Sequence, residues 1–126
     1  MKERKKVAFY TLGCKLNFSE TSTIARNFQE EGFDRVDFEE SADIYVINTC
    51  SVTHLGEKKS RQIIRRAIRL NDKAVVAVTG CYAQVSPEEI EAIQGVNVIV
   101  GTQDRHCIVD LVEQVGTSNS TVNVVT

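Results

Sequence analysis

Three of the four cysteines in this sequence directly follow an apolar run that has the composition of a buried strand. They are Cys14 after residues 7–13, Cys50 after residues 44–49 and Cys81 after residues 74–80. The carboxyl ends of parallel strands meet at one edge of a sheet, and open α/β sheets bind their ligands at that edge. If these three strands are neighbours, three thiols from distant parts of the chain converge on one site.

Three converging thiolates favour soft metals, chiefly zinc and iron-sulfur clusters. Cys14 and Cys50 are 36 positions apart, and Cys50 and Cys81 are 31 apart, unlike the closely spaced ligand pairs of a zinc ribbon. A structural zinc ion needs a fourth ligand, for which His54 is near enough in sequence, although a solvent-facing or capping role suits its position better. A 4Fe-4S cluster held by three cysteines instead leaves one iron open to an exogenous ligand. Residue spacing therefore leaves a cluster, a zinc site and buried inert thiols as alternatives.

The composition is that of a soluble globular domain. The 126 residues are 42% hydrophobic and 25% charged, with a net charge of -2, so the chain has no general basic character for nucleic acid. No apolar run is long enough to span a membrane, and no signal-peptide core follows the charged start. We therefore expect a cytoplasmic protein, in which cysteines serve as metal ligands or reactive thiols more often than in disulfides.

Strand patterns and helix patterns alternate along the chain. Predicted strands cover residues 6–12, 33–38, 44–49, 74–79 and 96–100. Predicted helices cover residues 20–31, 54–70, about 87–94 and 104–115. Ser19 or Thr21 is a candidate cap of the first helix, and Leu55 is assigned to the apolar side of the second.

This alternation predicts an α/β fold, with a single open parallel five-stranded sheet and helices on both faces. The strand order 2-1-3-4-5 is flavodoxin-like, and it makes the three strands that end in cysteine neighbours. Residues 1–116 form the predicted domain. Residues 117–126 look like a linker, with a short strand pattern at 122–126 whose partner would lie elsewhere.

Three stretches around the cysteines resemble the amino-terminal domain of radical-SAM methylthiotransferases. They are Thr11-Leu12-Gly13-Cys14-Lys15-Leu16-Asn17, Asn48-Thr49-Cys50-Ser51-Val52-Thr53 and Thr79-Gly80-Cys81-Tyr82-Ala83-Gln84. They match that family's three cysteine motifs in order and spacing. The Gly-Cys-Lys-Leu-Asn form and the run 58–62 most resemble the MtaB branch, whose members methylthiolate threonylcarbamoyladenosine beside the anticodon of tRNA.

The resemblance implies that Cys14, Cys50 and Cys81 ligate an auxiliary 4Fe-4S cluster, which supplies the sulfur of a methylthio group. It implies tRNA as the partner of the full-length enzyme, together with the radical-SAM and TRAM domains of the same protein. Related branches modify isopentenyladenosine or a ribosomal protein, and these stay open as alternatives, as does a standalone iron-sulfur or zinc-binding module.

One departure from the family pattern limits the expected activity. The Cys-x-x-x-Cys-x-x-Cys motif that holds the S-adenosylmethionine-cleaving 4Fe-4S cluster is missing, as are the barrel that carries it and the TRAM domain. We therefore expect no catalytic residues in this chain and no activity from it alone. The segment 117–126 would then lead toward the absent radical-SAM barrel.

Two further features lie outside the cysteine motifs. Cys107 stands beside Ile108 and Val109 in the last predicted helix, which favours a packed core thiol. The second helix carries a stripe of basic residues opposite its apolar side, namely Lys58, Lys59, Arg61, Arg65, Arg66 and Arg69. Such a stripe is typical of a solvated helix face, and it also suits RNA or docking onto the missing barrel.

Overall fold

A computed structural model describes residues 5–12, 15–49, 54–71, 73–101, 108–115 and 122–124. These residues form strands and helices in alternation. The strands are β1 (Lys6–Thr11), β2 (Asp34–Val36), β3 (Ile44–Thr49), β4 (Val75–Gly80), β5 (Val98–Val100) and β6 (Val122–Val124). The helices are α1 (Lys15–Glu30), α2 (His54–Leu70), α3 (Cys81–Val85), α4 (Pro87–Glu91) and α5 (Ile108–Val115).

All the strands pair in parallel in one sheet of order β2-β1-β3-β4-β5-β6. The predicted α/β class and the order 2-1-3-4-5 are therefore confirmed. The sheet extends one strand further than predicted, because β6 pairs with β5 in the register Val98↔Val122. The strand pattern near the end of the chain thus has its partner inside this sheet, although it falls in the stretch predicted as a linker. The domain boundary at residue 116 stays a prediction.

Helices cover both faces of the sheet, and each face has its own apolar core. On one face α2, α3 and α4 pack side chains such as Ile64, Tyr82 and Ile90 against the strands. On the other face α1 and α5 contribute side chains such as Phe28 and Ile108. The central strand β3 is buried along its whole length between these layers, as its unbroken apolar run predicts.

Four local details differ from the sequence-based predictions. Helix α1 begins at Lys15, so Ser19 and Thr21 lie inside the helix and do not cap it. Helix α3, which starts at Cys81, was missed because it is only five residues long. The predicted strand 33–38 shortens to β2, and Leu55 is 74% exposed although it was assigned to the apolar side of α2. The predicted start of α5 near residue 104 lies outside the described residues.

We predict that the fold does not depend on a bound metal, because both faces of the sheet already bury continuous apolar cores. Protein prepared without metal should unfold in one cooperative transition when followed by circular dichroism. The Cys14→Ala/Cys50→Ala/Cys81→Ala variant should melt in the same cooperative way. A broad, non-cooperative loss of signal from the metal-free protein would show that metal is integral to folding, as it is in zinc fingers.

Candidate functional site

The three strands that precede the predicted ligand cysteines are neighbours in the sheet. Strand β3 lies between β1 and β4, with the registers Thr11↔Asn48 and Thr49↔Gly80 at the carboxyl ends. The pairing continues past β1, where the Leu12 backbone N–H donates to the Asn48 carbonyl oxygen at 2.9 Å. Since neighbouring strands are about 4.8 Å apart, the three strand ends lie within roughly 10 Å of one another.

Of the predicted ligands, Cys81 is the one that the structure describes. It is the first residue of α3, directly after β4, where its side chain is partly exposed and outside any disulfide. Cys14, Cys50 and Cys107 lie outside the described residues, as does the side chain of His54. The sheet therefore brings together the strand ends that lead into Cys14, Cys50 and Cys81, and the ligand assignment itself stays a prediction.

Gly80, immediately before Cys81, permits a very close approach between two of these strand ends. Its φ of 99° is in the region that favours glycine. A Cβ atom at this position would lie 2.5 Å from both Asn48 Oδ1 and the Thr49 carbonyl oxygen. The atoms that this glycine approaches belong to Asn48 and Thr49, the two residues just before Cys50.

Thr49 connects the end of β3 to the helix that begins with Cys81. Its hydroxyl donates to the Thr79 carbonyl oxygen at 2.7 Å and accepts from the Ala83 backbone N–H at 3.4 Å. The hydroxyl thus accepts from a backbone N–H in the first turn of α3, as the side chain of an N-cap residue usually does. The residue preceding one predicted ligand therefore orients the helix that carries another. Sequence reasoning missed this role of Thr49, because the capping residue is 34 positions away from the amide that it accepts from.

On the opposite face of the sheet, the same strand ends bury a polar layer. The Thr11 hydroxyl donates to Thr21 Oγ1 at 2.7 Å, and Asn48 Nδ2 donates to the same oxygen at 3.3 Å. Thr79 is fully buried, and its hydroxyl has no hydrogen-bond partner in the part of the chain described. Buried hydroxyls are nearly always paired, so a partner for this one is expected among residues outside the described ranges or from a bound group.

The predicted set of three cysteine thiolates has the chemistry of an iron-sulfur site. Clusters bound by thiolates are anionic, and hydrogen-bond donors near their sulfurs tune them. The partly exposed thiol of Cys81, the close approach at Gly80 and the buried hydroxyl of Thr79 are all consistent with such a group. Within the described residues, no three His, Cys, Asp or Glu side chains come together as a metal site. A metal site of this kind must therefore include residues outside the described ranges.

A buried tyrosine holds α3 against its neighbouring helices. Arg61 of α2 donates from Nη1 to the Tyr82 hydroxyl at 2.8 Å, and that hydroxyl donates to Glu89 Oε1 of α4 at 3.0 Å. Burial, aided by the hydrogen bond to Glu89, raises the pKa of Tyr82 although Arg61 opposes this shift, so the hydroxyl stays protonated at neutral pH. The residue after Cys81 is thereby joined to two helices, and Arg61 belongs to this contact and not to a solvated stripe.

None of the helices within the described residues combines the length and apolar character needed to span a membrane.

The chain belongs to the family UPF0004, described as an uncharacterized protein family, which it matches over residues 6–101. It is 56% identical over 117 residues to the threonylcarbamoyladenosine tRNA methylthiotransferase MtaB of Bacillus subtilis (strain 168), covering 93% of this chain and 26% of that protein. The MtaB protein of Aquifex aeolicus (strain VF5) is 45% identical over 86% of this chain and 27% of its own length. The ribosomal protein uS12 methylthiotransferase RimO of Trichodesmium erythraeum (strain IMS101) is 35% identical over 91% of this chain and 26% of its own length.

These relatives are methylthiotransferases, so the chain is a methylthiotransferase-family domain, as its three cysteine motifs predicted. It spans about a quarter of the length of the curated relatives named above. The activities of those full-length proteins are therefore not assigned to this chain by the similarity alone.

We predict that Gly80→Ala is far more destabilising than the matched change Gly32→Ala. Both glycines have positive φ, but a Cβ atom added at Gly32 would meet no atom within 4 Å, whereas one added at Gly80 would clash with the β3 backbone. Gly32→Ala should cost about 1–2 kcal/mol from backbone strain alone. Gly80→Ala should cost roughly 2 kcal/mol more, because β3 and β4 must separate. Urea unfolding of both variants measures the difference, and equal losses would contradict the close approach.

Proposed function

We propose that this chain is the sulfur-donating domain of a tRNA methylthiotransferase, in which Cys14, Cys50 and Cys81 bind an auxiliary 4Fe-4S cluster. The substrate of the whole enzyme is then threonylcarbamoyladenosine beside the anticodon. The observation that carries the proposal is the adjacency of β1, β3 and β4, whose ends lead into these cysteines at one edge of the sheet. The identity of 56% to the Bacillus subtilis MtaB supports the choice of substrate.

The residues around the proposed ligands hold them in place. Gly80 allows the backbone before Cys81 to touch the backbone before Cys50. The Thr49 hydroxyl and the buried Tyr82 hydroxyl fix helix α3 to β3, α2 and α4. A 4Fe-4S cluster with three cysteine ligands supplies an iron with an open coordination position, where an exogenous sulfur ligand can bind.

The surface near the proposed ligands suits a covering domain. The large apolar side chains that are highly exposed in the described residues are Phe18 at 56%, Leu55 at 74% and Val85 at 66%. Each lies within five residues of one of the three cysteines, near the carboxyl edge of the sheet. Exposed apolar side chains are typical of interaction surfaces when they form a continuous patch. We assign this surface to the radical-SAM barrel, which with a TRAM domain and tRNA completes the set of proposed partners.

The barrel would also provide S-adenosylmethionine and the second 4Fe-4S cluster that this chain lacks motifs to bind. We therefore propose that the chain is inactive alone and that it functions in the cytoplasm, where tRNA is modified. The alternative substrates are isopentenyladenosine-type tRNA positions and a ribosomal protein. They are kept because a tRNA-2-methylthio-N(6)-dimethylallyladenosine synthase and RimO are also relatives, 32% and 35% identical.

We predict that the three cysteines bind the cluster as a unit. After anaerobic reconstitution, the wild-type chain should contain roughly four irons and four sulfides, and Cys14→Ala, Cys50→Ala or Cys81→Ala should each lose nearly all of them. Cys107→Ala is the matched control and should retain full loading. One equivalent of zinc in place of iron, or equal loss from Cys107→Ala, would refute the ligand assignment.

We also predict that the loaded chain, mixed with tRNA, S-adenosylmethionine and a reductant, makes no methylthio product, because it has no radical generator. Mass spectrometry of the digested tRNA measures the product. A full-length relative such as the Bacillus subtilis MtaB is the positive control, and product formed by this chain alone would contradict the proposed division of roles.

A further inference from the structure

The six basic side chains of α2 fall into two groups. Arg61 donates a hydrogen bond to the Tyr82 hydroxyl, and its Nη1 lies 3.8 Å from Glu89 Oε1. Arg66 forms an ion pair with Glu39. The other four make no side-chain hydrogen bond or ion pair with any residue that the structure describes, and they are Lys58, Lys59, Arg65 and Arg69. All four are exposed. The basic stripe therefore contains two cations that contact other elements of the fold and four that have no such contact within the described ranges.

Three of the available cations lie along one line of the helix. At 100° per residue, Lys58, Arg65 and Arg69 fall within about 40° of one another and span roughly 16 Å of helix length. The line faces away from the buried residues Ile64 and Ala67, which pack on the sheet. Lys58 is in the amino-terminal part of α2, the end that adjoins the carboxyl edge of β3, so the line begins near the proposed sulfur site.

The far end of this line borders a groove of about 390 Å³ between α2 and the turn after α4. Arg65, Ile68 and Arg69 line one side of the groove, and residues 92–94 line the other. The turn lies close against α2. A Cβ atom added to Gly95, whose φ is 103°, would be only 3.0 Å from Ile68 Cδ1, so the glycine permits this approach. The two guanidinium groups thus stand beside a concave surface that is built into the fold.

We propose that Lys58, Arg65 and Arg69 bind the phosphodiester backbone of the RNA substrate, whereas Arg61 and Arg66 do not. Guanidinium groups bind phosphate through two parallel hydrogen bonds. A line of exposed cations is complementary in charge to a polyanion. RNA is favoured over a protein partner because the MtaB relatives act on tRNA and because this face has cations without matching acid partners among the described residues. This inference rests on the proposed tRNA function and adds the surface that holds the RNA.

The test measures the binding of a fluorescently labelled anticodon stem-loop RNA to the metal-free 126-residue chain by anisotropy at several salt concentrations. Arg65→Gln/Arg69→Gln should weaken binding about tenfold. It should also make the plot of log association constant against log salt concentration less steep, reducing the magnitude of its slope by roughly two, as expected when two phosphate contacts are lost. Adding Lys58→Gln should reduce the magnitude of the slope further. Arg26→Gln/Arg66→Gln, which removes the same charge from α1 and from the paired position on α2, should change affinity less than about twofold.

Equal weakening by the control pair would overturn the proposal, because binding would then depend on net charge alone. So would unchanged RNA affinity in the Arg65→Gln/Arg69→Gln variant, or a wild-type chain that does not bind RNA. If those substitutions instead impair only assembly with the barrel in a full-length enzyme, the surface is a protein interface and the proposal is wrong. Because no cluster is needed for this measurement, iron content tests the proposed function separately, and thermal melts confirm that the variants are folded.

Discussion

The close approach of β4 to β3 at Gly80 is the constraint on which the candidate site depends. No other residue type fits, since any Cβ atom would lie 2.5 Å from β3 atoms and the backbone has a positive φ. This contact joins the residues before Cys50 to the residue before Cys81, and it sets how near the ends of β3 and β4 can be. A wider separation of the strand ends would also withdraw Thr49 from the first turn of α3.

Polar side chains reinforce this edge on both faces of the sheet. On one face Thr49 and Tyr82 connect α3 to three other elements through hydrogen bonds. On the other face Thr11 and Asn48 converge on the Thr21 hydroxyl of α1. Buried polar networks are costly unless their members are paired, so the paired polar groups here strengthen the edge where the strands leading toward Cys14, Cys50 and Cys81 end.

The basic side chains of helix α2 differ in their contacts within the fold. Arg61 and Arg66 bridge to α3, α4 and the segment before β3, and these contacts help to fix the helix on the sheet. Arg65 and Arg69 lie on the same helix and have no such partners within the described residues. Because both groups have the same residue type and nearly the same spacing, only the positions of Glu39, Tyr82 and Glu89 separate them.

The strand order and the adjacency of the three strands that precede cysteine motifs could be predicted from the sequence. Apolar runs of strand length, separated by helix patterns, allow few arrangements once crossovers must be right-handed. The strand order then followed from requiring the three runs that end in cysteine to be neighbours. These predictions rest on periodicity and on chain direction, both of which are visible along the sequence.

The side chains that connect the elements around the candidate site become evident only from contacts between residues distant in sequence. Thr49 caps a helix 34 positions away, and the Arg61, Tyr82 and Glu89 side chains meet from three separate helices. Leu55 has the residue type of a core position yet remains exposed, because α2 turns a different face to the sheet. Contacts of this kind depend on the distances between elements. The pattern along the sequence indicates the type of each element but does not indicate which residues of other elements lie opposite it.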